Sequence, residues 1–195
     1  DVQRLTQSWV NERCAPELLP FEDELVSDLR EMLEARVRVL DIESDDEPES
    51  PEAAFLVIIY QQEMERIKYV LRSYLRTRLD KIQRYTRHLL QDRTARSCLS
   101  QEELTFASKF QGLLDRHFMN SCLDSLPPGL QTLNEEAMVS KPDLESAVIC
   151  RVKEDIGQLQ LEGTPESIDM QRNNIYLLRY NAIRALLGQG KVELL

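Results

Sequence analysis

The sequence predicts a mainly α protein. It has an N-terminal helical bundle domain with a long central helix, followed by a small β-rich C-terminal domain. Three observations lead there. Apolar residues recur at three- and four-residue steps through most of residues 1–123. No glycine or proline falls between Pro51 and Gly112, so nothing local interrupts a very long helix. Beyond Pro142 the helical period is lost and β-branched residues gather in short runs.

The first helix is expected over 2–13, with Val2, Leu5, Trp9 and Val10 on one side. Ala15-Pro16 stops it, and Glu17 to Pro20 form a connector. A second helix over 22–40 places Leu25, Leu29, Met32, Leu33, Val37 and Leu40 on one stripe, with acids in its first turn where the helix dipole favours them. DIESDDEPES, at 41–50, reads as a solvated acidic loop. Within it Ser44 precedes three acids, which makes it a candidate phosphorylation site.

The third helix opens at Ser50-Pro51, a serine cap with proline in the first turn, and runs to about Leu90. At about 1.5 Å per residue such a rod spans roughly 60 Å. A globule of this chain length has a radius of gyration near 16 Å, so a diameter of roughly 40 Å. The rod must either bend or be covered by a partner chain. Met64, Ile67, Leu71, Tyr74 and Arg78 form one stripe, and Val70, Leu75, Leu79, Ile82 and Tyr85 widen it past an ordinary amphipathic arc. Arginines lie between them, and interleaved Arg and apolar residues suit interfaces. The candidate interface residues on this helix are Met64, Arg66, Ile67, Leu71, Arg72, Tyr74, Leu75, Arg76, Leu79 and Ile82.

The pattern breaks over 91–99. Ser100 with Glu103 forms a capping box, opening a helix whose expected buried stripe is Leu104, Ala107, Phe110, Leu114, His117 and Phe118. Phe110 and Leu114 join the interface candidates. Residues 124–143, with Pro127-Pro128-Gly129, read as a linker between a helical domain over 1–123 and a β-rich domain over 144–195. In the latter, 147–152 and 175–180 are the good strands, 158–161 a weak one, 181–187 a short helix, Gly190 a turn and 192–195 a last strand. A unit of that size is marginal alone and should dock on something.

The net charge of −10 is uneven. Residues 1–50 hold 15 acids and 5 bases, residues 51–99 hold 5 acids and 10 bases, and residues 100–195 hold 14 acids and 9 bases. The chain as a whole repels a phosphate backbone, while the middle segment alone could attract one. The reading preferred here is that its arginines meet the acidic N-terminal helices, or acids on a partner. The four cysteines are widely spaced, without a CxxC pair, and there are two histidines; no metal site or cofactor is expected from that inventory. Phosphate loops, nucleotide-binding glycine motifs, nucleophile elbows and HExxH are absent from the sequence, so an enzyme is not expected. No apolar run reaches membrane-spanning length. DVQRLTQSWV carries neither an initiator methionine nor a signal-peptide core, so a trimmed chain is expected.

Several segments carry a resemblance, in order along the chain. They are Ser8 to Glu12 with Ala15 to Leu19, Glu63 to Arg76 (EMERIKYVLRSYLR), Leu99 to Leu104 with Phe106-Ala107, Leu126 to Gln131, Lys141 to Leu144, and Leu178 to Tyr180. Together they resemble GINS subunits of the Sld-five type across nearly the whole chain. The acidic stretch at 41–50 is richer than the family's, the segment between Leu161 and Ile175 is shorter, and the acidic N-terminal tail common in relatives is missing. The resemblance implies a nuclear, non-catalytic subunit of the GINS heterotetramer. Its partners would be the three Psf subunits and, through the complex, the MCM ring and its accessory factor in the CMG replicative helicase, together with the leading-strand polymerase. DNA contact would be indirect or weak. The alternative from the residues alone is a nucleic-acid-binding module using the basic segment 66–96.

Overall fold

A computed structural model describes residues 1–45, 51–133, 138–160 and 167–195, without the side chains of 37–45 and 53. The elements are α1 (Val2–Cys14), α2 (Asp23–Asp45), α3 (Pro51–Gln91), α4 (Arg93–Ser97) and α5 (Gln101–Ser121). Two 3-10 turns follow, then β1 (Ala147–Val152), β2 (Gly157–Gln160), β3 (Ser167–Met170), β4 (Ile175–Arg179), α6 (Tyr180–Gly188) and β5 (Val192–Leu194). The chain divides into two compact units, residues 1–9 with 22–76 and residues 10–21 with 77–195.

The first unit is helical. Leu25, Leu29 and Leu33, at four-residue steps on α2, are buried, as are Leu5 of α1 and Met64, Ile67, Val70 and Tyr74 of α3. Leu33, Met64 and Ile67 form one cluster, joined by the partly buried Val2 and Leu71. Trp9 meets Tyr69 edge-on at 6.3 Å between centroids, a favoured aromatic geometry. The expected loop at 41–50 is corrected in part, because α2 continues to Asp45. Its acidity does not end the helix: no proline occurs between Pro20 and Pro48, and Leu40 and Ile42 extend the apolar pattern. Ser44 thus lies on helical backbone, with its side chain outside the described residues. The proposed cap Ser50 also lies outside them.

α3 is 41 residues long and departs from helical geometry at Tyr85, with φ −113° and ψ 19°. The neighbouring Thr86 hydroxyl donates back to the carbonyls of Ile82 and Gln83. Such back-bonding pulls a carbonyl out of the helical ladder and bends the rod.

In the second unit, Ile82 and Leu89 of α3 pack with Leu18 and with Ala107 of α5. The break expected over 91–99 contains a helical turn, α4, capped by the Asp92 carboxylate on the Thr94 N–H at 3.0 Å. The Ser100–Glu103 capping box forms reciprocally, at 3.1 and 3.0 Å. The buried stripe expected on α5 is a correction. Ala107 is buried, Leu104, Phe110 and Leu114 are partly buried, and His117 and Phe118 are exposed. The helical period shows that α5 has an apolar side, not that this chain covers it.

The β-rich part holds an antiparallel three-stranded sheet in the order β4-β1-β5 and a separate β2-β3 hairpin. β3 was not expected; its SIDM alternation is too short to stand out. Val148, Cys150 and Val152 point inward from β1 and pack with Met170, Leu178, Tyr180, Ile183, Val192 and Leu194. Gly190, at φ 73°, makes the turn into β5, a conformation glycine adopts without a Cβ clash.

Candidate interaction surface

The interface candidates fall into three groups. Met64, Ile67, Tyr74 and Ile82 are buried within this chain. The Tyr74 hydroxyl also accepts from the Glu22 N–H at 3.5 Å. Leu71, Leu75, Leu79, Phe110 and Leu114 are partly buried. Arg66, Arg72 and Arg76 are exposed. Arg66 forks onto Glu63 at 2.6 and 2.8 Å. That hydrogen bond holds the Glu63 carboxyl below its ordinary range.

A different stretch of α3 carries the large exposed apolar area. Phe55 is 62% exposed, Leu56 52%, Ile58 54%, Ile59 46% and Tyr60 54%. Contiguous apolar surface of this kind usually marks an interaction site. The sequence signal was legible but unused: FLVIIY is six apolar residues in a row, and six consecutive positions go all the way round a helix. On α5, Leu113, Phe118 and Met119 are exposed, beside the stacked pair Phe106–Phe110 at 5.8 Å. On the sheet, Ile149 of β1 faces Leu177 of β4 across the ladder, and both are exposed together with Ile175.

The basic segment is largely neutralised by this chain's own acids. Arg66 meets Glu63, Lys68 meets Glu65, Arg84 meets Asp80 and Arg87 meets Asp115. Arg78 and Lys81 are buried. Arg78 reaches Glu103 at 2.7 and 2.9 Å, Glu12 at 2.9 Å, and the carbonyls of Leu19 and Cys98 at 2.7 and 2.9 Å. Its guanidinium lies 5.1 Å from the Phe21 ring centroid, within cation–π range. Lys81 meets Glu12 at 2.7 Å and the Glu17 carbonyl at 2.7 Å. Burial lowers its pKa, partly opposed by Glu12. Two cations, two carboxylates and four carbonyls thus satisfy one another, and among the described residues every buried side-chain nitrogen or oxygen has a hydrogen-bond partner. Arg78 was placed in the apolar stripe by spacing alone, and its carboxylate partners were not identified.

A shallow groove lies beside this region, lined by Gln83, Arg87, Leu114, Phe118, Leu133 and Val139. Arg87, one of its lining residues, donates to the Leu133 carbonyl and the Asp115 carboxylate. Among the described residues, no group of three His, Cys, Asp or Glu could hold a metal ion. The exposed apolar residues of α3, α5 and the sheet face are of the kind that suits protein association.

Comparison with known proteins agrees with that chemistry. Residues 21–121 match the family model described as the GINS complex protein helical bundle domain. Residues 142–195 match that of the DNA replication complex GINS protein SLD5 C-terminus. Among similar proteins is the DNA replication complex GINS protein SLD5 of Chaetomium globosum, 37% identical over 201 residues, covering 100% of this chain and 90% of the relative. Those of Homo sapiens (37% over 204 residues, 100% and 88%) and Schizosaccharomyces pombe (33% over 199 residues, 100% and 92%) are similar along the same length.

Proposed function

Because the chain belongs to the SLD5 family of GINS proteins, we propose that it is a non-catalytic structural subunit of a GINS heterotetramer with three Psf subunits in the nucleus. The observation that supports this most is the uncovered apolar stretch Phe55–Tyr60 on α3. Exposed aromatic and β-branched residues in a row destabilise nothing when a partner helix covers them, and obligate interfaces resemble a domain core cut in half. Met64, Ile67, Tyr74 and Ile82 hold α3 in place from within. The 55–60 stretch makes the contact, the partly buried Leu71, Leu75 and Leu79 remain candidates for contact in their own right, and Arg66, Arg72 and Arg76 supply charged partners. Phe110, Leu113 and Leu114 of α5 offer a second contact. The helical domain over 1–123 would carry these contacts, and the β-rich domain over 144–195 would add the Ile149–Leu177 face.

Through the tetramer the chain joins the MCM ring and its accessory factor in the CMG helicase and meets the leading-strand polymerase. The ATP chemistry stays with the MCM motor. The nucleic-acid reading of 66–96 is weaker, because most of that segment's cations meet carboxylates of this chain and little field is left for phosphate. Co-expression with and without the three Psf subunits, followed by size exclusion with light scattering, tests the proposal. The expected result is one heterotetrameric peak. A stable monomer that ignores all three subunits would overturn it.

A further inference from the structure

We propose that Val10–Phe21 is a strap belonging structurally to the C-terminal sheet, and that Glu17 is the latch fixing α6 to it. β5 is an edge strand, so its outward N–H groups need partners from elsewhere. One comes from α1: the Asn11 side-chain oxygen accepts from the Leu194 N–H at 2.9 Å, across 183 positions of sequence. One turn on, the Cys14 thiol donates to the Leu195 carbonyl at 3.1 Å. Ala15, 3% exposed, enters the sheet's own apolar core.

Glu17 then closes the contact. Its carboxylate accepts from the Tyr180 hydroxyl at 2.8 Å and from Arg184 Nε and Nη2 at 2.6 Å each. Both donors sit on α6, one turn apart. The opposite side of the strap faces the helices. Lys81 donates to the Glu17 carbonyl, Arg78 to the Leu19 carbonyl, and Leu18 packs with Ile82 and Ala107. A small sheet with too little core to stand alone is thereby completed by residues from the far end of the chain. The same residues bolt it to α3 and α5. The strap is a property of the subunit itself and does not depend on any partner.

The test is hydrogen exchange by mass spectrometry on the full chain, comparing the parent with Glu17→Ala and Tyr180→Phe. In Glu17→Ala, amides of α6 and β5 should exchange about tenfold faster or more, the loss expected when a charged hydrogen-bond set is removed. The first turns of α5, capped independently by Ser100, should keep their protection. Tyr180→Phe retains the buried ring and should show a smaller increase in the same segments. Unchanged exchange of α6 and β5 in both variants would overturn the strap. So would an equal rise in α5, because that reports general loosening and not a latch.

Discussion

At the scale of the residue, Arg78 decides most. It is fully buried between Glu12 of α1 and Glu103 of α5, and it also donates to the main-chain carbonyls of Leu19 and Cys98. Removing one member of such a set leaves an uncompensated buried charge, which costs about 3–5 kcal/mol. Arg78→Ala should therefore lower the unfolding free energy from denaturant titration by that amount, whereas removing the exposed Arg66–Glu63 pair should leave it nearly unchanged. Tyr180 gives a pH signature. Burial first, and the Glu17 carboxylate second, push its phenol far above the ordinary 10.0. The unfolded chain releases that proton near pH 10 and the folded chain keeps it. Stability present below about pH 10 is thus lost as pH rises further. Tyr180→Phe should flatten that alkaline fall in a pH series of unfolding curves. The stripe containing Arg78 was legible from spacing, but its partners were not. Glu12 lies 66 positions away and Glu103 25, and no periodicity links residues across such distances.

At the scale of the element, the third helix was legible almost to the residue. Proline marks its start, and neither glycine nor proline interrupts it. Its kink was not legible, because a mid-helix Thr bonding backwards looks like any other Thr in sequence. Which apolar residues are spent internally was also hidden, since helical period identifies a face without naming its neighbour. The structure divides them into a buried set and a partly buried set. Ile67→Ala, in the cluster with Leu33 and Met64, should cost about 2–5 kcal/mol in an unfolding experiment. Ser100→Ala removes one half of a capping box and should cost about 1 kcal/mol. β3 and α4 escaped notice because four- and five-residue elements hold few periods, and SIDM and RTARS lack the apolar run that marked β5.

At the scale of the whole molecule, the mainly α class with a β-rich end was legible from where the apolar period changes. The family was legible from an ordered series of short motifs, none specific alone. The surface proposed for assembly was the least legible part. On the stripe from Met64 to Ile82 the structure buries Met64, Ile67, Tyr74 and Ile82 and leaves Leu71, Leu75 and Leu79 partly buried, while the run at 55–60 carries exposed apolar residues that helical period does not single out. Exposure is a property of the packed chain, so composition could signal an excess of apolar residues without saying where the excess would surface. An account in which 55–60 is an interface separates folding from assembly. The decisive measurement is the paired substitution Phe55→Glu/Ile59→Glu, co-expressed with the three Psf subunits and read by both thermal unfolding and light scattering. The account predicts a subunit that unfolds within a few degrees of the parent, as surface substitutions do, but no longer enters the heterotetramer. A variant that assembles normally would contradict it.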